Sequence, residues 1–315
     1  MLTSTKELLS KAHKKNYAVP AFNINNLETL KAVVEASAET RSPAIVQTSE
    51  GAIKYAGLLE LSFLARLEAA KNKKAKVALH FDHGKDVSLL TKATKLGYSS
   101  VMIDASELDF EKNIEKTRSI VRIAHKYGLT VEAELGTIGG REDKVHSKQI
   151  ILTDPAKAKE FIKRTKCDFL AVAIGTSHGA SKSSFFGKSL SKKAKAPKLD
   201  IERLNEIKKN VNIPLVLHGA SNVPKEEIAK LVKYGGKVKG AIGNPDSEIK
   251  KAIKSGINKI NIDTDLRVAF LAGLREYLKK NPDDIDMRHY LNAGKEEMKK
   301  VIKHKFKLFG CYGKA

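Results

Sequence analysis

Leu79-His80-Phe81-Asp82-His83-Gly84 ends an apolar run that begins at Lys76, and a helical pattern follows it at once. An apolar β run that finishes on an acid, an imidazole and a glycine brings a proton carrier and a metal ligand to the mouth of a sheet. Its meaning depends on the company it keeps. Seven similar runs occur at 18–25, 43–49, 99–106, 130–140, 169–179, 214–221 and 259–265, which with 76–84 makes eight. Between them lie stretches of 3.6-residue periodicity, such as 27–40, 110–127, 155–165 and 201–209. Eight β runs alternating with helices over about 250 residues predict a (β/α)8 TIM barrel. A doubly wound sheet is the competing topology, but the first strand turn lacks its glycine-rich dinucleotide fingerprint.

Additions to the minimal barrel are also readable, and all of 1–315 is expected to form one domain. A helix over 4–15 precedes the first strand and is expected to close the barrel's bottom. Ser4 and Glu7 stand three apart at its start, the spacing of a capping box. Two helical stretches, 224–233 and 246–254, separate strands seven and eight. After a last barrel helix over 266–279 comes a C-terminal tail, Asn281-Pro-Asp-Asp-Ile-Asp-Met-Arg288, with a helix over 295–308. The two long loops, 140–154 and 179–199, both follow strands. They therefore lie on the catalytic face, where long loops serve as lids or flaps.

Composition narrows the function classes. No apolar run reaches the roughly 20 residues of a membrane helix, and the N-terminus lacks a signal peptide's apolar core. Cys167 and Cys311 are too few for a disulfide framework or a zinc finger, so the cytoplasm is expected. Lysine and arginine outnumber acids 58 to 36, a net charge of +22. Such a field draws in anionic metabolites as well as nucleic acid. The lysines are scattered along helices, aromatics are only 6%, and no basic stretch interleaves the two. No nucleic-acid partner is expected.

The C-terminal strand ends, where barrels of this kind assemble their sites, carry Asn23, Ser49, Asp82 with His83, Asp104, Glu134, His178, His218 and Asp263. A lone strand-end histidine is usually structural, because backbone satisfies its two nitrogens. Three that converge, each followed by glycine (Gly84, Gly179, Gly219), read instead as a His₃ first shell with an open position. Imidazole suits zinc, and also cobalt or iron(II). The other histidines, His13, His125, His146, His289 and His304, read as surface residues, and His80 as a structural or supporting one. His218-Gly-Ala-Ser221 and Asn261-Ile-Asp-Thr264 end strands seven and eight, where barrels commonly hold phosphate. The plainer reading of their small residues is ordinary turns and helix caps. The eight runs contain only two lysines, Lys76 and Lys259, both read as strand starts away from the site. A metal electrophile is thereby favoured over an imine.

These segments together resemble the class II, metal-dependent fructose-bisphosphate aldolases, especially their shorter bacterial branch. The matching pieces are Ala21-Phe-Asn, Gln47-Thr-Ser-Glu-Gly-Ala, Leu79-His-Phe-Asp-His-Gly, Ser100-Val-Met-Ile-Asp-Ala-Ser, Val131-Glu-Ala-Glu-Leu-Gly, Gly175-Thr-Ser-His-Gly, Pro214-Leu-Val-Leu-His-Gly-Ala-Ser and Asn261-Ile-Asp-Thr-Asp. The resemblance implies zinc-dependent, reversible cleavage of fructose 1,6-bisphosphate to dihydroxyacetone phosphate and glyceraldehyde 3-phosphate. His83, His178 and His218 would hold the zinc, with Asp104 and Glu134 forming a second metal site or the zinc's alternative position. Asp82 would be the acid/base at the C4 oxygen, and Glu142 would move the C3 proton from a mobile loop. Gly179, Lys182, Gly219, Ala220, Ser221, Asn261, Ile262, Asp263 and Thr264 match the site for the dihydroxyacetone-phosphate half, and the loop of Lys182 would add a monovalent cation. Asn23 and Ser49 match residues along the carbon chain. Arg288 matches an arginine that reaches a neighbouring subunit's site, which implies a homodimer or homotetramer. The segment 181–198 departs from the family pattern in length and in its Ser and Lys content, and reads as an insertion. Tagatose 1,6-bisphosphate is the alternative substrate, since the two sugars differ only at C4. A basic metal-binding barrel acting on nucleic acid or a protein partner is the remote alternative.

Overall fold

Strands buried on both faces pair in the order in which they occur along the chain. A computed structural model describes residues 2–142, 145–147, 150–178, 198–237 and 243–315. Its strands are β1 (Val19–Asn23), β2 (Pro43–Thr48), β3 (Lys76–Gly84), β4 (Ser100–Ile103), β5 (Thr130–Leu135), β6 (Gly139–Glu142), β7 (Val145–Ser147), β8 (Phe169–Val172), β9 (Ser177–His178), β10 (Leu215–Leu217) and β11 (Ile257–Ile262). The helices are α1 (Thr5–Lys15), α2 (Leu27–Thr40), α3 (Glu50–Ala56), α4 (Leu58–Lys71), α5 (Val87–Ala93), α6 (Phe110–Lys126), α7 (Pro155–Thr165), α8 (Ile201–Asn210), α9 (Lys225–Lys233), α10 (Asp246–Lys254), α11 (Thr264–Lys280) and α12 (Met287–Leu308). Eight strands close a barrel in the order β1, β2, β3, β4, β5, β8, β10, β11, every neighbouring pair parallel. The expected (β/α)8 barrel is what the chain forms. No helix among the described residues is long and apolar enough to cross a membrane.

Local chemistry explains most element ends. Asn26, Asp86, Asp109 and Asp154 cap their helices by accepting backbone N–H bonds, and Asn26 with Thr29 forms a reciprocal capping box. At α1, Ser4 is a one-sided cap: its Oγ accepts from Lys6 N at 3.2 Å, and the expected box with Glu7 is not what holds it. The helix does close the bottom of the barrel. Thr5 is buried there, 2.7 Å from Ser99 Oγ and 2.8 Å from Ser100 Oγ at the start of β4. Cys167 and Cys311 are free and buried, as a chain without a disulfide framework requires.

Three expectations change. The run 259–265 begins two residues too late, because β11 starts at Ile257. Lys259 is therefore mid-strand and shares a face with Asn261, since side chains two apart point the same way. The run 169–179 is two strands: β8 stops at Val172, the chain turns through Gly175 at φ +101°, and β9 leaves the barrel. The loop 140–154 contains an antiparallel hairpin of β6 and β7, and β6 also pairs with β9, placing Gly140 beside His178. Thus Glu142 belongs to a strand rather than to an irregular loop.

The tail helix α12 is longer than the expected 295–308 and packs against α11 and α2. Close approach to α11 depends on two glycines. A Cβ at Gly273 would stand 2.6 Å from Ala293 O, and one at Gly294 would stand 2.7 Å from the Phe270 ring. Outside the barrel, a cavity of about 800 Å³ lies against α9, α10 and α12, with Val223, Glu227, Asp246 and His304 in its wall.

Glu227 is buried there beside Glu297, and burial first, then that second carboxylate, pushes its pKa from 4.5 up to about 7. The folded protein holds this proton more tightly than the unfolded chain, so the associated stability falls as pH rises from 4.5 to about 7. Glu227→Gln is expected to be more stable than the parent at pH 8, by roughly 1–3 kcal/mol, with the difference closing by pH 4. Melting curves at both pH values check it; an equal difference at both would refute the assignment.

Candidate active site

Polar residues spaced two apart on buried strands build the site in two layers. His80 and Asp82 on β3, Glu132 and Glu134 on β5, and Lys259 and Asn261 on β11 each share a face, and all are buried. The lower members make an interior polar layer. Lys259 Nζ stands 2.9 Å from Glu132 Oε2 and donates to Asn261 Oδ1 at 2.8 Å. His80 Nδ1 bonds Ser100 Oγ at 2.7 Å. Burial, then the Lys259 charge, pushes the His80 pKa down to about 3, so its ring is neutral at ordinary pH. Burial alone would raise the pKa of Glu132, but the Lys259 charge and the His218 contact hold it well below the usual carboxylate range. The expectation that both strand lysines lie away from the site is corrected at Lys259. It is a desolvated lysine inside the barrel, engaged in an ion pair rather than presented to a substrate.

The upper layer carries the expected residues. Asp82 Oδ1 accepts from Asn261 Nδ2 at 2.9 Å, while Oδ2 accepts from Asn23 Nδ2 at 3.2 Å and Gln47 Nε2 at 3.1 Å. Burial would raise the Asp82 pKa, but His83, Lys259 and His218 outweigh it and leave the acid ionised. His83 Nδ1 lies 3.1 Å from Asp104 Oδ2. His218 Nε2 lies 2.8 Å from Glu132 Oε1 and its Nδ1 3.2 Å from Glu134 Oε2. The two imidazole centroids are 4.5 Å apart.

Adjacent strand residues normally face opposite ways, yet Asp82 and His83 both reach this cluster. The backbone supplies the reason. His83 adopts φ +47°, and the pairing of β3 with β4 shifts register between Phe81 and Gly84. This bulge turns both side chains to the mouth at a strain of about 1–3 kcal/mol. Gly84, the next residue, serves close packing rather than the turn. A Cβ on it would stand 2.6 Å from Leu90 and 2.9 Å from Met102 O.

Donor chemistry fits a divalent cation. Ligand atoms of Asp82, His83 and His218 lie within 4.8 Å of one another, as do those of His83, Asp104 and Glu134. Burial opposes a charge on His83, but Asp82, Asp104 and Glu134 raise its pKa to about 10, so the pocket strongly attracts positive charge. Glu132 also stands on one nitrogen of His218, the carboxylate contact that commonly orients a metal-binding imidazole. Both oxygens of Asp82 are already held by amides, which favours a proton-transfer role for it over a ligand role.

The remaining expected residues are distributed around this centre. Gly219 at φ +61° turns the chain after His218, and Asn244 donates to its carbonyl at 2.9 Å. Ala220, Ser221, Asn261, Ile262 and Asp263 are buried at the ends of β10 and β11, and Thr264 begins α11. Asp263 Oδ1 is 2.7 Å from Arg267 Nε. Ser49 caps α3 by accepting from Ala52 N at 3.2 Å. Beside Asn23 and Asp263 opens a cavity of about 290 Å³ that Tyr55, Arg267 and Phe270 also line. Arg288 is not at this mouth: it starts α12, 84% exposed, clasping Asp286. Gly179 and Lys182 lie outside the described residues, as do the side chains of His178 and Glu142. Sequence reading missed Gln47, Glu132 and Lys259 as site residues. The signal was available: each of the pairs His80/Asp82, Glu132/Glu134 and Lys259/Asn261 is a polar doublet at spacing two within a buried strand.

Comparison with known proteins follows the same lines. The family model described as fructose-bisphosphate aldolase class-II matches residues 3–314. The fructose-bisphosphate aldolase of Thermus caldophilus is 46% identical over 317 residues, and that of Helicobacter pylori (strain ATCC 700392 / 26695) is 44% identical over 316. Both alignments cover 100% of this chain and of the relative. Among solved structures, the YdjI aldolase from Escherichia coli K12 matches with a TM-score of 0.78 at 33% identity, covering 100% of both chains. Fructose-bisphosphate aldolase from Campylobacter jejuni matches with a TM-score of 0.76 at 25% identity, covering 100% of this chain and 97% of that one.

Proposed function

Because this chain belongs to the class II fructose-bisphosphate aldolase family, we propose that its barrel mouth cleaves fructose 1,6-bisphosphate reversibly into dihydroxyacetone phosphate and glyceraldehyde 3-phosphate. The observation that carries the reading is Asp82, ionised and held by three amides in the same buried cluster as His83 and His218. The family is metal-dependent, and His83 and His218, with His178, are the residues assigned to hold a catalytic zinc. Asp104 and Glu134 are assigned to a second position for a divalent ion. When bound, the ion polarises the C2 carbonyl and takes up negative charge that develops there.

Asp82 removes the C4 hydroxyl proton, the C3–C4 bond breaks, and C4 leaves as the aldehyde. Asn23, Gln47 and Asn261 fix the carboxylate's direction during that transfer. Glu142 then gives a proton to C3, which completes dihydroxyacetone phosphate. Closure of the 140–154 segment that carries Glu142 would bring this residue in and exclude water. Gly179, Lys182, Gly219, Ala220, Ser221, Asn261, Ile262, Asp263 and Thr264 hold the phosphate half, with a monovalent cation assigned to the loop of Lys182. Asn23 and Ser49 line the carbon chain beside the 290 Å³ cavity. Arg288 is assigned to the second phosphate of a neighbouring subunit in a homodimer or homotetramer, and its exposed position at the start of α12 supports that role. The reading takes 1–315 as one domain acting in the cytoplasm.

Chelation is the direct test. Treatment with EDTA and metal-free dialysis is expected to abolish cleavage, zinc or cobalt to restore it, and borohydride with substrate to leave the enzyme active. Activity that survives chelation would refute the reading. Comparing kcat/KM for fructose and tagatose bisphosphates on the same protein separates the two sugars.

A further inference from the structure

Lys305 lies in the last turn of α12, far from the barrel mouth in sequence, yet its ammonium is only 1% exposed. Its Nζ donates to Asn222 O at 2.8 Å and stands 2.7 Å from Asp265 Oδ1. Asn222 directly follows Ser221, and Asp265 directly follows Thr264. One buried cation thus bridges the two segments that continue from β10 and β11. Asp265 is fully buried in the first turn of α11, and Lys305 is its ion-pair partner among the described residues.

A carboxylate at this place opposes an incoming phosphate dianion. Asp263 has Arg267 beside it at 2.7 Å, and Asp265 has Lys305. The two acids that follow β11, Asp263 and Asp265, are therefore each matched by a cation from a helix. The placement of Lys305 is also rigid. Gly273 and Gly294 let α11 and α12 pack backbone to side chain, which sets how far along the pair the lysine projects. A bond from a charged donor to a loop carbonyl fixes that loop more strongly than a neutral one.

We propose that Lys305 is a positioning residue for the phosphate subsite: it sets the spacing of the Ser221 and Thr264 segments and neutralises Asp265. This rests on the phosphate reading given under Proposed function. Lys305 touches no reacting atom, so its loss weakens binding of the phosphorylated half rather than the proton transfers. The prediction is a split between KM and kcat.

The experiment measures condensation of dihydroxyacetone phosphate with glyceraldehyde 3-phosphate, and direct binding of dihydroxyacetone phosphate by calorimetry. In Lys305→Met, KM and Kd for dihydroxyacetone phosphate are expected to rise by about tenfold or more, with kcat within about threefold. Lys305→Arg, which keeps the charge and the donor, is expected to recover most of the affinity. Lys305→Met strands the buried Asp265 charge at a cost in folding stability, so Lys305→Met/Asp265→Asn, which buries no lone charge, is measured beside it and is also expected to bind weakly. Wild-type affinity in either folded variant overturns the proposal. Ser221→Ala serves as the separate control: if it leaves the affinity for dihydroxyacetone phosphate unchanged, the phosphate reading itself fails. If Ser221→Ala weakens binding and the folded Lys305 variants do not, only the role of Lys305 fails.

Discussion

Asp82→Ala is expected to lower kcat for bisphosphate cleavage by about 10²–10⁴-fold, the usual contribution of a positioned proton carrier. The carboxylate is the acceptor on which three side-chain amides converge, so its loss leaves those donors aimed at no base. The metal-binding residues are separate side chains, and bound zinc, measured by atomic absorption, is expected to stay stoichiometric. A second measurement isolates the step. Exchange of the C3 hydrogen of dihydroxyacetone phosphate in D2O depends on the other proton carrier, so it should persist in Asp82→Ala and vanish in Glu142→Ala. Loss of exchange in Asp82→Ala, with metal still bound, would mean that Asp82 does not act at C4 alone.

Lys259→Met is expected to destabilise the fold by roughly 3–5 kcal/mol, because it strands the Glu132 carboxylate in the barrel interior without its cation. The same substitution frees Asn261 from below, and Asn261 holds Asp82. Activity should therefore fall in whatever fraction folds. Adding Glu132→Gln removes the lone charge, and the double variant should recover most of the stability while remaining a poorer enzyme. Urea unfolding of the single and double variants measures this coupling. Stability of Lys259→Met equal to that of the parent would contradict the ion pair.

Lys259 also marks where sequence reading stops. Strand periodicity, the three histidine–glycine pairs and the alternation with helices were enough for the barrel and for most of the mouth, because these depend on local pattern. The start of β11 was not legible: Ile257-Asn258 reads as loop by composition, and only the pairing of Ile257 with Leu215 of β10 makes it strand. With the strand start misplaced by two residues, a buried lysine looked like one at the rim. The bulge at His83 was legible as a necessity, since Asp82 and His83 had to face one way, but its location depends on how β3 meets β4. The hairpin of β6 and β7 escaped for a similar reason. The residues of β6 are glycine and charge, and their strand character comes from pairing with β7 and β9. Arg288 reads as a site residue only through resemblance, since within one chain it clasps Asp286.

The left-handed backbone at His83 also limits how this position can drift over evolutionary time. A replacement must satisfy two unrelated filters, one chemical and one conformational. Valine, isoleucine and threonine fail the second whatever they offer the first, because a branched Cβ crowds the carbonyl at φ +47°. Asparagine, aspartate and glycine pass it. Lineages that lose the imidazole are therefore funnelled toward those three residues, and a genuine change of ligand is far more accessible through aspartate than through any apolar intermediate.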